Sequence, residues 1–211
     1  MDIQSFKREI IMKENTVEIV AILDRSGSMS VGVEDVIGGF NIFVAEQKKV
    51  PGEAFMTLVQ FDNEYKEDYI HLPLEQVPDL DSTTYVPRGS TALLDAIGRT
   101  FNAVGARLAR LPEEERPEKV IVLIFTDGGE NASREFRRHK VVEMIDLQRK
   151  KYSWEILFFG AGPEAFAEGN SLGLDSSSIF RAHALGGTGT YEGLRHASKS
   201  VTESRIIRRK S

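Results

Sequence analysis

Four short stretches of the chain are nearly all apolar: Val17 to Leu23, Met56 to Phe61 (interrupted by Gln60), Val120 to Phe125, and Ile156 to Phe159. Runs of this length, rich in Val, Ile and Phe, predict strands covered on both faces, as in a parallel sheet. Helical spacing fills the gaps between them. Leu94, Ile97, Phe101, Val104, Leu108 and Leu111 step by 3, 4, 3, 4 and 3 residues, which makes one apolar stripe. Val33, Val36, Ile37, Phe40, Phe43 and Val44 form an earlier stripe. Val141, Met144, Ile145 and Gln148 mark one side of a third helix, over about Ser133 to Tyr152. The alternation predicts an α/β fold, doubly wound and Rossmann-like, with a mainly parallel sheet between helices.

Tyr65 to Leu72 mixes charges with aromatics after the turn-forming pair Asp62-Asn63. It reads as an antiparallel edge strand, where charge discourages further pairing. A connection carrying Pro73, Pro78 and Pro87 follows, too long for a mere turn. Pro112 to Pro117, rich in Glu, marks an exposed loop. Glu164 to Leu172 reads as a short helix, Ser178 to Ala182 as a short strand, and Thr190 to Ser204 as a final helix. The expected organisation is one domain over 17–204, an N-terminal extension over 1–16, and a solvated basic tail over 205–211 containing Arg205, Arg208, Arg209 and Lys210.

Composition narrows the function classes. At 211 residues, 41% hydrophobic and 28% charged, the chain can bury a real core. Its 27 Lys and Arg against 32 Asp and Glu leave a net charge of -5, so no nucleic-acid partner is expected. Cysteine is absent, which removes disulfides, thiolate metal sites and cysteine nucleophiles, and fits a cytoplasmic location. Met1 to Thr16 is charged and lacks the apolar stretch of a signal peptide. No run reaches the ~20 apolar residues of a membrane span, so no membrane partner is expected.

The candidate chemistry sits directly after the first strand, in Asp24-Arg25-Ser26-Gly27-Ser28. A carboxylate and two hydroxyls are presented there from the sheet edge at which open α/β folds bind ligands. Residues at i and i+2 of extended chain project to one side, so Ser26 and Ser28 can share a target. Thr91 in Gly89-Ser90-Thr91-Ala92-Leu93-Leu94-Asp95, before the next helix, and Asp127 in Thr126-Asp127-Gly128-Gly129 point to the same edge. The set is all hard oxygen, which suits Mg²⁺, with Mn²⁺ and Ca²⁺ less selective alternatives.

These motifs in this order resemble a von Willebrand factor type A (vWA) domain of the standalone intracellular, bacterial or phage type. The first three correspond to its metal-ion-dependent adhesion site (MIDAS). The resemblance implies that Ser26 and Ser28 coordinate the ion directly, and Thr91 directly or through water. It implies that Asp24 and Asp127 hold coordinated waters and in some states ligate directly. It further implies a non-enzymatic module whose metal binds an Asp or Glu of a protein partner. Some intracellular members assemble stress-response or metalloid-resistance complexes, and the resemblance extends that setting to this chain as an expectation.

Blander readings stand beside these. Asp24, Ser26 and Ser28 also suit a turn with a helix N-cap, and Thr91 suits an N-cap by itself. Asp95 serves either the site or its helix terminus. Arg25 faces either a partner's acid or solvent. Gly38 and Gly39 are read as close helix-sheet packing, and Gly186 to Gly189 as a loop without the Lys-Ser/Thr of a P-loop. His71, His139, His183 and His196 lack zinc-type spacing. The competing functions are a Mg²⁺-dependent hydrolase or phosphotransferase using Asp24, which lacks the second Asp such enzymes place where Ser26 stands, and an architectural subunit with a structural metal.

Overall fold

The structure is a computed structural model and describes residues 13–161, 163–182 and 189–206. Strands β1 (Lys13–Asp24), β2 (Glu53–Phe61), β3 (Tyr65–Pro73), β4 (Pro117–Thr126), β5 (Glu155–Ala161) and β6 (Ile179–Ala182) form one sheet in the order β3-β2-β1-β4-β5-β6. Only the β2–β3 pairing is antiparallel, and β3 is an edge strand, as the charged pattern predicts. Helices α1 (Val33–Lys48), α2 (Leu93–Arg110), α3 (Arg138–Tyr152), α4 (Pro163–Ser171) and α5 (Gly189–Ile206) complete the layers. The architecture is the predicted α/β sandwich with a mainly parallel sheet.

Period-two alternation divides the central strands between two cores. Ile19, Ala21 and Leu23 of β1, with Ile121, Leu123 and Phe125 of β4, meet Phe40, Phe43 and Val44 of α1 and Val201 of α5. Val20 and Ile22, with Val122 and Ile124, turn the other way, toward Leu94, Ile97 and Phe101 of α2 and Val141 and Ile145 of α3. By length and composition alone, the 22 residues Gly27–Lys48 are long and apolar enough to cross a membrane, contrary to the reading of the sequence. Their apolar face is spent on the sheet: Val36, Phe40, Phe43 and Val44 are at most 1% exposed.

The differences from the sequence reading have local causes. Strand β1 starts at Lys13, so the expected N-terminal extension overlaps it, and residues 1–12 lie outside the described residues. Helix α3 begins at Arg138 rather than near Ser133. The amides of Ala132 and Ser133 are taken by Glu130, and those of Arg134, Glu135 and Phe136 by Asp95, so a loop wins over a first helical turn. Arg205 is not a solvated tail residue. It lies in α5 and donates to the Gln47 carbonyl (2.8 Å) and Gln47 Oε1 (3.1 Å) at the C-terminal end of α1. The remaining basic residues, Arg208, Arg209 and Lys210, and with them His183, Gly186 and Gly187, lie outside the described residues.

Gly38 does not serve close packing, since a Cβ there meets nothing within 4 Å. Gly38→Ala should therefore stabilise the protein by about 0.5–1 kcal/mol through helix propensity, read as a shift in urea midpoint.

Candidate metal centre

The sheet order reverses at β1. The chain leaves β1 toward β2 and leaves β4 toward β5, in opposite directions, which opens a crevice at the carboxyl ends of these two neighbouring strands. Asp24 ends β1 and Thr126 ends β4, one step past the Leu23–Phe125 pair. The Thr126 hydroxyl donates to Asp24 Oδ2 at 2.6 Å, and the Ser26 amide donates to Asp24 Oδ1 at 2.6 Å. Both carboxylate oxygens are thus engaged, and the side chain is closed to solvent.

The two serines are brought together, with their hydroxyl oxygens 3.1 Å apart, and Ser28 Oγ donates to Asp127 Oδ1 at 2.7 Å. Ser26 is buried while Ser28 is exposed and Asp127 partly so, which makes a site deep at Asp24 and open at Ser28. Thr91 arrives on the neighbouring loop. The Gly27 amide donates to the Gly89 carbonyl at 3.0 Å, sewing the serine loop to the segment that carries Thr91. Gly89 is at φ +66°, and a Cβ there would lie 2.0 Å from Asn63 Oδ1, so a side chain at this crossing is excluded. Thr91 is buried; its amide donates to Asn131 Oδ1 (2.9 Å), and its carbonyl accepts from the amides of Asn131 and Ala132. No hydrogen bond joins its hydroxyl to either serine among the described residues. Helix α2 begins two residues later at Leu93 with Ala92 as its N-cap, so Thr91 is not the cap.

The residue types fit a hard divalent cation. For ligands about 2.1 Å from an octahedral Mg²⁺, adjacent oxygens stand about 3 Å apart, close to the Ser26–Ser28 spacing of 3.1 Å. The electrostatics point the same way. Burial pushes the Asp24 carboxyl up to about 6, against hydrogen bonds from Thr126 and Ser26 that pull it down and the nearby charge of Asp127 that adds to the rise. Asp127 is also raised, again chiefly by burial, with the Ser28 hydroxyl opposing. Among the described residues neither carboxylate forms an ion pair with Lys, Arg or His. A cation would supply the counter-charge this donor set lacks; among the described residues no group of three or more His, Asp or Glu is placed to hold a metal, and this set has two carboxylates with hydroxyls instead.

Tyr85, Glu130 and Asn131 were not assigned a role from the sequence, and Arg25 and Asp95 act otherwise than the two readings given for each. Tyr85, in the long proline-bearing connection, donates its hydroxyl to the Asp24 carbonyl at 2.7 Å. Arg25 neither reaches outward nor lies in solvent. It is buried with its Nε in ion-pair contact, 3.1 Å from Asp62 Oδ2, and that oxygen accepts a hydrogen bond from Arg88 Nε at 2.9 Å. Among the described residues no hydrogen bond joins the Asp95 carboxylate to Asp24, Ser26, Ser28, Thr91 or Asp127. The Asp95 carboxylate clamps the amides of residues 134–136 at 2.8–2.9 Å, and Glu130 accepts from the Leu94 amide at 2.9 Å, so both fix the loop that holds Asn131 under Thr91. Glu130 and Asn131 lie four residues or fewer from Asp127. An Asp-Gly-Gly-Glu-Asn turn is the signal from which they were available.

No protein-family model matches the chain, and no curated protein sequence does. Solved structures do. The vWF domain of the type V pili tip protein Mfa5 from Porphyromonas gingivalis superposes with a TM-score of 0.60 at 11% identity, over 90% of this chain and 96% of that one. The chain has a von Willebrand factor type A fold. Proximal thread matrix protein 1 from the mussel byssus, in a form with a zinc-occupied MIDAS motif, shares the type A fold at a TM-score of 0.59 and 17% identity. That match covers 90% of this chain and 45% of the mussel protein. The PilB minor pilin from Streptococcus sanguinis matches at a TM-score of 0.60 and 10% identity, over 91% and 62% of the two chains. This chain thus spans about half the length of the mussel protein it matches, 45% by coverage.

Proposed function

We propose that the protein is a non-enzymatic, cytoplasmic, divalent-cation-dependent module that binds an acidic side chain of a partner protein. The observation carrying this reading is the pair of neutral serine hydroxyls 3.1 Å apart, backed by two carboxylates that have no counter-charge among the described residues. Ser26, Ser28 and Thr91 would hold the ion, with Asp24 and Asp127 behind them. Mg²⁺ there supplies a hard, electron-poor centre with room for an anionic oxygen ligand. Asp24 orients Ser26 through its amide, Thr126 fixes Asp24, and Asp127 accepts a hydrogen bond from Ser28, which would leave the serine lone pairs available to an ion. The exposed side of the site, at Ser28 and Asp127, is where the partner's Asp or Glu enters. The mussel protein, which shares this fold, has a zinc-occupied MIDAS motif, and that supports a metal-binding reading.

The hydrolase alternative asks Asp24 to be a nucleophile, and both of its oxygens are already accepting hydrogen bonds in a closed environment. A pull-down from native lysate in Mg²⁺, repeated in EDTA and with Asp24→Ala, tests the binding reading. A protein retained only by the wild type in Mg²⁺ supports it, and its identity tests the stress- or metalloid-resistance setting. The same retained set in all three arms overturns it, as does Asp24-dependent turnover of an aryl phosphate.

A further inference from the structure

Beside Thr91, a polar cleft of about 750 Å³ lies between the start of α2 and the loop that precedes α3. Two of its lining residues tie it to the metal centre. Ser90 precedes Thr91 in the chain, and Asn131 Oδ1 accepts the Thr91 amide at 2.9 Å.

The walls offer donors and withhold acceptors. Both carboxylate oxygens of Asp95 are taken by the amides of residues 134–136, and Glu135 accepts from Arg99 Nε at 2.6 Å. The side-chain oxygen of Asn63 accepts the Ser90 amide at 3.4 Å, as that of Asn131 accepts Thr91. Among the described residues, nothing is bonded to Nδ2 of either asparagine, to the Ser90 hydroxyl or to the Arg134 guanidinium, and Arg134 forms no ion pair. All four side chains are exposed, so water satisfies them in the free protein, and a ligand rich in acceptor oxygens can take its place. The frame that carries them is fixed. Asp95 holds the backbone of Arg134, and Phe136 lies so close on Gly98 that a Cβ there would come within 2.4 Å of its ring. Donors held in place in advance lose little freedom on binding.

We propose that this cleft takes a second carboxylate from the partner segment whose first carboxylate completes the metal, with Arg134 as its main contact. The inference rests on the metal-dependent reading above and adds to it the kind of partner. A guanidinium holds a carboxylate by two parallel N–H bonds, which favours an acid here over an amide. In extended chain, residues i and i+2 project to one side about 7 Å apart, so an acid-x-acid segment presents both carboxylates to one surface. The partner is a protein that exposes two acids in that spacing.

The test titrates the ¹⁵N-labelled whole protein by NMR, in saturating Mg²⁺ and physiological salt, with the capped peptide Ac-Gly-Glu-Ala-Glu-Gly-NH₂. Its two counterparts carry Gln in place of one or the other Glu. The two-acid peptide should bind at least about ten-fold tighter than either counterpart. Arg134→Gln, whose side chain bonds to nothing in the fold, should cut that advantage to about two-fold, the statistical gain from two acids that can each reach the metal. Arg137→Gln removes the same charge from an exposed residue outside the cleft and should leave the advantage intact. Equal loss in both variants means long-range charge alone and overturns the proposal. Single-acid peptides bound in Mg²⁺ and released by EDTA, with no gain from the second acid, overturn the cleft and leave the metal reading standing. Arg134-dependent binding of the two-acid peptide that persists in EDTA keeps the cleft and overturns the metal reading. No binding of any peptide, although calorimetry shows Mg²⁺ bound, overturns both.

Discussion

Asp24→Asn should make the metal-free protein more stable and at the same time unable to hold Mg²⁺. The carboxyl of Asp24 is raised from 3.8 to about 6 because burial disfavours its charge. A group raised on folding contributes stability in full below its unfolded value, and that contribution is lost as pH rises through the folded value. Two pKa units correspond to roughly 3 kcal/mol, so in EDTA the wild type should weaken by up to that amount between pH 4 and 7. Asn carries no charge over this range and keeps an oxygen for the Ser26 amide. Its NH₂ can donate to Thr126 Oγ1, whose own proton then has the Gly128 carbonyl 3.2 Å away. In EDTA at pH 7.5 the variant should gain about 1–3 kcal/mol over wild type by urea denaturation. The raised Asp127 carboxyl contributes a slope of the same sign that both proteins share.

Mg²⁺ should reverse the order. Binding to the folded state alone stabilises by RT ln(1 + [L]/Kd), so saturating Mg²⁺ adds stability to wild type and almost none to Asp24→Asn. Calorimetric titration should show at least a 100-fold loss of Mg²⁺ affinity in the variant, more than removal of a supporting residue costs. Wild-type affinity should itself fall as pH drops through about 6, where a proton competes for Asp24. Wild-type Mg²⁺ affinity in the variant would remove Asp24 from the site, and a variant less stable than wild type in EDTA would contradict the burial argument. A purely structural ion predicts a different pattern, with the metal-free wild type poorly folded at every pH.

What the sequence revealed of the fold followed from burial on both faces. Four apolar runs and two strict stripes have one comfortable solution, helices on either side of a parallel sheet, and the charges of Tyr65 to Leu72 leave that segment only an edge. Asp24, Ser26 and Asp127 were legible because they sit at a strand end or one to two positions past it, where side-chain direction follows from the strand, and Ser28 and Thr91 because their motifs lead into the next helices. The Asp95 and Glu130 clamps were not. Each acts on backbone amides nearly forty residues away or within its own loop, and such bonds leave no periodic trace. Helix α3 was extended too far for the same reason, since its propensity was read without the competing acceptors. Arg205 was misjudged because terminal basic residues usually find only water, whereas here the end of α1 offers carbonyls.

The largest loss of stability outside the hydrophobic cores is expected at Asp62, which the sequence marked only as a turn former. Its carboxylate is fully buried and is the counter-charge of Arg25, itself 7% exposed, and of Arg88. Its Oδ1 accepts the Glu64 amide at 2.5 Å, and its carbonyl accepts the Ala92 amide at 2.9 Å. Around it the Arg25 amide bonds to the Phe61 carbonyl and the Arg88 amide to the Arg25 carbonyl, each at 2.8 Å, so one acid ties together the loops bearing the serines and Thr91. Arg25 Nε meets Asp62 as a charge contact rather than an aligned hydrogen bond, so its cost without a partner is that of a stranded cation. Asp62→Ala should therefore cost about 3–5 kcal/mol, the usual toll of breaking a buried pair on one side. Arg25→Met removes the stranded charge, and the double variant should recover about half of the loss, a coupling of 1–3 kcal/mol in a double-mutant cycle. Mg²⁺ affinity should fall in Asp62→Ala although no metal-binding side chain has changed, and should return in part with Arg25→Met. Additive losses in the two single variants would mean that Arg25 and Asp62 do not depend on each other, and that the serine loop is held by its backbone bonds alone.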